Sequence, residues 1–158
     1  MNSQNILRVL FLLLLATIVA TTQPSSAIVP DKGPSASGEG RITNFNADQI
    51  DFSFHAKVNK NGTGKGIAQF DNVSDQTHVV VKINCVNISS ASVATMTGTV
   101  QHSDDPAYPK DANVGFTATD RQLTFGDSIT PLLVGPVDCE IDLLGLRPLI
   151  SGDIQIEP

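Results

Sequence analysis

Apolar and polar residues alternate with a period of two along most of the chain from Arg41 onward. The clearest example runs from Ile50 to Val58, where Phe52 and Phe54 alternate with polar neighbours. This alternation predicts strands that bury one face and expose the other. The predicted inward positions that we expect to form the core are Phe52, Phe54, Val79, Val81, Ile83, Phe116, Ile141 and Ile154.

Short alternating runs of this kind continue to the C-terminus and are separated by segments rich in turn residues. They amount to about eight or nine strands, and no stretch has helical periodicity. One-sided strands that share a core are typical of antiparallel sheets. The sequence therefore predicts an all-β domain, either an antiparallel β-sandwich or a closed β-barrel.

The N-terminal residues have a different pattern. Arg8 precedes an apolar run over residues 9–20, and a polar stretch then leads to Ser25-Ser26-Ala27. Small residues at these positions suit signal peptidase, and the apolar run is short for a membrane span. We expect a signal peptide at residues 1–27, a flexible arm rich in Pro and Gly at residues 28–40, and a single β domain at residues 41–158.

Export makes the two cysteines, Cys85 and Cys139, candidates for a disulfide. Both occupy inward positions in their predicted strands, so the bridge is expected inside the core. A redox-active thiol would favour a Cys-x-x-Cys motif or a cationic neighbourhood, and neither is present in the sequence.

The charge balance restricts the partners. The chain has 10 basic and 16 acidic residues, a formal net charge of −6. Nucleic-acid affinity depends on Lys and Arg that neutralise phosphates, so a nucleic-acid partner is not expected. Membrane insertion is not expected either, because no apolar run after residue 27 is long enough to span a bilayer. We expect a secreted, extracellular protein, or a periplasmic one if the organism is Gram-negative.

Two kinds of site remain open. The carboxylates of Asp104, Asp105 and Asp111 share one predicted loop, where they could bind Ca²⁺ or remain ordinary solvated side chains. In a eukaryotic protein, the sequons at Asn61, Asn72 and Asn87, all in predicted turns, would accept glycans. No other cofactor is expected. The three histidines have no metal-site spacing and are interpreted as solvated.

Several blocks of the sequence occur in a recognisable order: Gly38-Glu39-Gly40-Arg41-Ile42, Phe52-Ser53-Phe54-His55-Ala56-Lys57, Gly64-Lys65-Gly66, Val80-Val81-Lys82-Ile83-Asn84-Cys85-Val86, Ala94-Thr95-Met96-Thr97-Gly98-Thr99-Val100, Phe116-Thr117-Ala118-Thr119-Asp120, Asp127-Ser128-Ile129 and Ser151-Gly152-Asp153-Ile154-Gln155-Ile156. Taken together in this order, they resemble the post-COAP type of small secreted β domain. This resemblance implies export and a β fold, and it implies no catalytic residues. Members commonly have Asp-Asn-Gly where this chain has Asp120-Arg121-Gln122.

The sequence has no nucleophile elbow, phosphate-binding loop or dinucleotide fingerprint. It therefore favours a non-catalytic extracellular or cell-surface binding module with an unknown partner. The first alternative is a carrier that holds a small apolar ligand in a barrel cavity. The second is an exported hydrolase that uses loop carboxylates, which would have to face each other across a cleft at about 5–10 Å.

Overall fold

In the computed structural model, the described residues are 33–59, 63–121 and 126–158. They form a single antiparallel sheet of ten strands, which curls strongly into an open half-barrel. The all-β antiparallel prediction is confirmed, while the predicted signal peptide lies outside the described residues. The strands are β1 Ser35–Thr43, β2 Gln49–Val58, β3 Gly64–Asn72, β4 Thr77–Ser90, β5 Val93–Ser103, β6 Asn113–Thr119, β7 Ser128–Ile129, β8 Leu133–Val134, β9 Arg147–Pro148 and β10 Ser151–Glu157.

The first six strands follow one another as a meander, and the last strand returns to the beginning. The order across the sheet is β10-β1-β2-β3-β4-β5-β6-β7-β9, with β8 also paired to β6. The pairing of β10 with β1 brings the C-terminal residues beside the start of the described chain. The first strand begins at Ser35, so it includes part of the segment predicted as a flexible arm, and Ala36 on this strand is fully buried.

The concave side of the sheet is filled by the apolar rows of the long strands. Phe116 is at its centre, and its ring meets those of Phe54 and Phe70 edge-on at centroid distances of 5.4 and 5.3 Å. Edge-to-face packing of this kind is a favoured aromatic geometry. The predicted core residues that are buried are Phe52, Phe54, Val79, Val81, Ile83, Phe116 and Ile154.

Ile141 is the exception, because 59% of its surface is exposed. The segment around it was predicted to be a strand, but it is an irregular strap that includes a turn at Cys139. This strap, residues 137–143, crosses the convex face of β5 and β6. Gly115 allows the close approach, since a Cβ there would lie 2.7 Å from a methyl carbon of Val137.

The strap also carries one end of the disulfide. Cys85 and Cys139 are bonded, with their Cα atoms 6.1 Å apart, so the predicted pairing is confirmed. The predicted location in the core is wrong. The pairing of β4 with β5 shifts register between Ile83 and Cys85, and the inward row resumes at Val86. A bulge moves later side chains to the opposite face, so Cys85 points to the convex side and joins the strap.

A polar contact layer holds the strap on the sheet. Thr95 and Thr117 are both buried on the convex side, and their hydroxyl oxygens are 2.9 Å apart. Thr95 Oγ1 donates to Asp142 Oδ1 at 3.0 Å, and the backbone N–H of Leu143 donates to Thr117 Oγ1 at 2.8 Å. The two central strands are therefore covered on both faces.

Candidate functional site

A cavity of about 290 Å³ opens at one end of the half-barrel. Because the strands form an antiparallel meander, the β1–β2, β3–β4 and β5–β6 connections all lie at this end. We call this feature the mouth cavity. Its lining residues are Asn44, Asn46, Asp48, Ile50, Phe70, Asn72, Asp75, Thr77, Val79, Asp105, Ala107, Tyr108, Pro131 and Leu132.

The β1–β2 turn forms one part of the rim. Asn44 Oδ1 accepts hydrogen bonds from the backbone N–H groups of Asn46 at 2.8 Å and Asp48 at 2.9 Å. The Nδ2 group of Asn44 donates to Asp48 Oδ2 at 3.1 Å. An Asn side chain that replaces a missing backbone partner is typical of an Asx turn. The turn therefore fixes a carboxylate and an amide at the edge of the cavity.

The β3–β4 turn repeats this arrangement. Asn72 Oδ1 accepts from the N–H groups of Ser74 at 3.0 Å and Asp75 at 3.2 Å, and Asn72 Nδ2 donates to Asp75 Oδ2 at 2.9 Å. The two turns are joined by a 2.9 Å hydrogen bond from Val73 N–H to the carbonyl of Gln49. Two Asn–Asp pairs are thus held side by side on the rim.

The β5–β6 loop supplies the third part. Asp105 Oδ1 accepts from Ala107 N–H at 2.8 Å, and Ser103 Oγ accepts from Asp105 N–H at 3.0 Å. The Tyr108 hydroxyl donates to the carbonyl of Leu132 at 3.0 Å. Burial raises the pKa of Tyr108, and the negative charge of Asp105 raises it further. The phenol is therefore kept neutral, and it braces the cavity wall.

The floor of the cavity is apolar, and the charges on its rim have one sign. Phe70, Val79 and Leu132 are buried core residues that also line the cavity. Every charged side chain in the described lining is a carboxylate, and the carboxylates belong to Asp48, Asp75 and Asp105. The rim can accept hydrogen bonds from hydroxyl or ammonium donors, and it repels anions.

Thr77 contributes a buried hydroxyl to the lining of the mouth cavity. Within the described chain, Thr77 Oγ1 is buried without a hydrogen-bond partner. A buried hydroxyl in this state costs free energy, and a bound molecule could remove that cost. Thr77 opens β4 at the edge of the cavity, so its hydroxyl is a candidate contact for a ligand.

The three predicted calcium ligands have different surroundings in the structure. Asp104 lies beside His102, Asp105 caps the turn at Ala107, and Asp111 adopts a left-handed backbone with φ of 68°. Among residues 33–59, 63–121 and 126–158, no group of three His, Cys, Asp or Glu side chains is placed to hold a metal ion. The calcium site stays a prediction.

The three sequons have different surroundings. Asn61 lies outside the described residues, and Asn72 is the last residue of β3, with its side chain in the turn described above. Asn87 was predicted to lie in a turn, but it is inside β4, paired with Thr95. The strand continues past it because the pairing of β4 with β5 resumes after the register shift at Ile83 and extends to Ser90.

Sequence reasoning missed the mouth cavity. The sequence does contain a signal for its rim turns. Asn44 precedes Asp48 by four positions, and Asn72 precedes Asp75 by three. Asx turns have this composition, but it does not show that β1–β2 and β3–β4 meet at one end of the sheet. That follows only from the strand order.

On the convex face, Arg41 and Asp51 form a two-pronged ion pair across β1 and β2. Arg41 Nη2 donates to Asp51 Oδ2 at 2.7 Å, and Arg41 Nε donates to Oδ1 at 2.5 Å. The hydrogen bonds from Arg41 hold the pKa of Asp51 below its usual value. The pair fixes the exposed side of the two strands that lead into the first rim turn.

No family model matches the chain, and no curated protein or solved structure is significantly similar to it. Within the described residues, no helix is long and apolar enough to cross a membrane.

Proposed function

We propose that this protein is a secreted, non-catalytic β domain that binds a small extracellular or cell-surface ligand in the mouth cavity. The cavity is the observation that carries the proposal, because fixed polar groups converge there over an apolar floor. Ligand sites usually combine an apolar lining with a few placed polar groups, in cavities of about 300–1,000 Å³. The volume of the mouth cavity, about 290 Å³, lies just below that range and suits a small ligand.

The chemistry of the cavity narrows the ligand class. Three carboxylates and three Asn side chains accept or exchange hydrogen bonds at the rim, while Phe70 and Leu132 offer apolar contacts below. We propose a ligand with several hydroxyl or ammonium donors and a small apolar part. Anionic ligands are disfavoured by the charges of Asp48, Asp75 and Asp105.

Export is part of the same proposal. The disulfide between Cys85 and Cys139 suits an oxidising compartment, and residues 1–27 have the sequence pattern of a signal peptide. We place the protein outside the cell, or in the periplasm of a Gram-negative organism. Membership of the post-COAP-type family is proposed on the order of the sequence blocks, which agrees with an exported β domain.

The carrier alternative requires a closed barrel with an apolar interior. Among the described residues, the links across the open side are side-chain hydrogen bonds, in which Asp120 and Asp127 at the end of β6 and the start of β7 accept from β10. The interior next to them is occupied by the rings of Phe54, Phe70 and Phe116. Because the open volume is at the mouth, we favour the binding module over the carrier.

The chain has one Tyr and no Trp, so fluorescence of Tyr108 reports on the mouth cavity alone. The exported, disulfide-bonded protein should be screened with neutral sugars, polyols, amines and small organic anions. We expect a member of the first three classes to change the Tyr108 emission and raise the thermal midpoint, as binding to the folded state requires. Anions should have no effect.

Asp75→Asn and Asp153→Asn form a matched pair, since each removes one exposed carboxylate and only Asp75 lines the mouth cavity. Asp75→Asn should weaken binding, and Asp153→Asn should not. Binding that responds equally to both changes, or a complete absence of hits among hydroxyl and amine ligands, would contradict the proposal. Conversion of the ligand to a product would favour the exported hydrolase instead.

A further inference from the structure

Two of the three histidines in the chain lie together on the convex face of the sheet. His78 in β4 and His102 in β5 have ring centroids 6.3 Å apart, with the ring planes inclined by 45°. They are diagonal neighbours, because Val79 pairs with Ser103 and Val80 pairs with His102. Diagonal neighbours of this size can meet across a sheet. The two imidazoles are therefore held close together by adjacent paired strands.

The carboxylate of Asp71 orients the first imidazole. His78 Nδ1 lies 2.5 Å from Asp71 Oδ1, and Asp71 pairs directly with His78 in the ladder between β3 and β4. An ionised carboxylate in this position favours the tautomer in which Nδ1 carries the hydrogen. The lone pair of His78 is then on Nε2. A carboxylate that holds the other ring nitrogen is the usual support of a metal-binding histidine.

The second imidazole is free to adjust. His102 Nε2 lies 3.3 Å from Asp104 Oδ1, and 64% of the His102 side chain is exposed. Two imidazoles that share one ion have ring centroids roughly 5–6 Å apart, given metal–nitrogen distances of about 2.0–2.1 Å. The observed separation of 6.3 Å is close to that range.

We propose that His78 and His102 bind a divalent transition-metal ion, Zn²⁺ or Cu²⁺, and that Asp71 is the positioning residue for His78. The proposed site supplies two protein ligands, and water completes the coordination shell. Imidazole nitrogen suits Zn²⁺ and Cu²⁺, whereas Ca²⁺ takes six to eight oxygen ligands. The site is on the convex face and does not depend on the ligand proposed for the mouth cavity.

The third histidine provides the matched control. His55 lies on an exposed position of β2 and has neither His78 nor His102 as a ring partner. Zn²⁺ should be titrated calorimetrically into the exported, disulfide-bonded protein without an affinity tag. We expect His78→Ala and His102→Ala each to weaken Zn²⁺ binding by about tenfold or more, while His55→Ala leaves it unchanged. With Cu²⁺, the electron paramagnetic resonance spectrum should show two coordinated nitrogens in the wild type and one in either single variant.

Asp71→Asn tests the positioning role, and it should weaken Zn²⁺ binding by about tenfold while both imidazoles remain. Thermal midpoints measured without metal should stay close to that of the wild type in every variant, because these side chains are partly or fully exposed and contacts of exposed charges contribute little. Equal losses in the His55→Ala protein, or wild-type affinity in both other histidine variants, would overturn the proposal. So would displacement of Zn²⁺ by millimolar Ca²⁺, which would assign Asp104 to an oxygen-ligand site instead.

Discussion

Asp127 Oδ2 accepts a hydrogen bond of 2.7 Å from the backbone N–H of Ile154. This contact lies at the open side of the half-barrel, where β10 has no neighbouring strand on its outer edge. Asp120 Oδ2 accepts in the same way from Ile156 N–H at 3.3 Å. Exposed edges recruit other strands, and native proteins protect them with charged side chains. Two carboxylates therefore satisfy the edge that a closed barrel would pair with a strand.

We expect Asp127→Ala to destabilise the protein by about 1.5–3 kcal/mol, the range for hydrogen bonds to charged groups. Asp127 Oδ1 also accepts from Arg121 N–H at 3.0 Å, so the substitution removes this hydrogen bond together with the one from Ile154. Urea unfolding measures the change, with Asp153→Ala on β10 as the control. If both variants lose a similar free energy of unfolding, the hydrogen bond between Asp127 and Ile154 does not stabilise the protein more than a surface contact of β10 does.

Removing the disulfide should lower the free energy of unfolding by about 2–5 kcal/mol, because Cys85 and Cys139 are separated by 54 residues. The Cys85→Ser/Cys139→Ser double variant tests this by denaturant unfolding. Intact mass with and without reductant should differ by the two thiol hydrogens. If the native oxidised protein has two alkylatable thiols, the bridge is absent and the strap is held only by contacts such as Thr95 with Asp142.

Phe54→Ala should cost about 3–5 kcal/mol, because the ring is buried against Phe116 and its loss leaves a cavity in the concave core. Ile67→Ala on the neighbouring strand is the matched control, since Ile67 is 50% exposed on the other face. Its cost should remain well below that of Phe54→Ala. A comparable loss at Ile67 would mean that the convex face of β3 is also covered.

The sequence predicted the long strands well because their pattern is uninterrupted. Phe52 and Phe54 alternate with polar residues over the whole of β2, and one buried face fixes the register. The same reasoning failed at Cys85, because a bulge changes the phase without leaving a mark in the residue types. It failed again at Ile141, because apolar and polar residues alternate in the strap as they do in a strand, although the strap is irregular.

The strand order and the mouth cavity could not be predicted for a different reason. Both depend on which strands become neighbours, and the pairing of β10 with β1 joins the two ends of the described chain. Alternation at Ile154 and Ile156 indicates a buried face, but it carries no information about the partner strand. The contacts of Asp127 and the meeting of the rim turns at Asn44 and Asn72 follow from that order.

The ion pair of Arg41 and Asp51 predicts a loss of stability in acid. Because the pKa of Asp51 is lower in the folded state than in the unfolded state, its contribution is present above the unfolded value, near pH 4, and is lost as the pH falls through the folded value. The pair is exposed, so the effect is small. Asp51→Asn should flatten the fall of the thermal midpoint in this acid window relative to the wild type. If the thermal midpoints of both proteins fall equally as the pH is lowered, the ion pair does not contribute to stability.

The raised pKa of Tyr108 predicts a loss of stability at alkaline pH. Burial and the nearby Asp105 raise its pKa in the folded state above the usual value near 10. The folded protein therefore holds the phenol proton more tightly, and the associated stability is intact below pH 10 but falls as the pH rises through the folded value. Because Tyr108 is the sole tyrosine and the chain has no Trp, ultraviolet absorbance follows this single phenol. We expect its titration to move to lower pH when the protein is unfolded in urea, and also in Asp105→Asn. A native midpoint equal to that of the unfolded chain would mean that the ring is solvated and does not brace the mouth cavity.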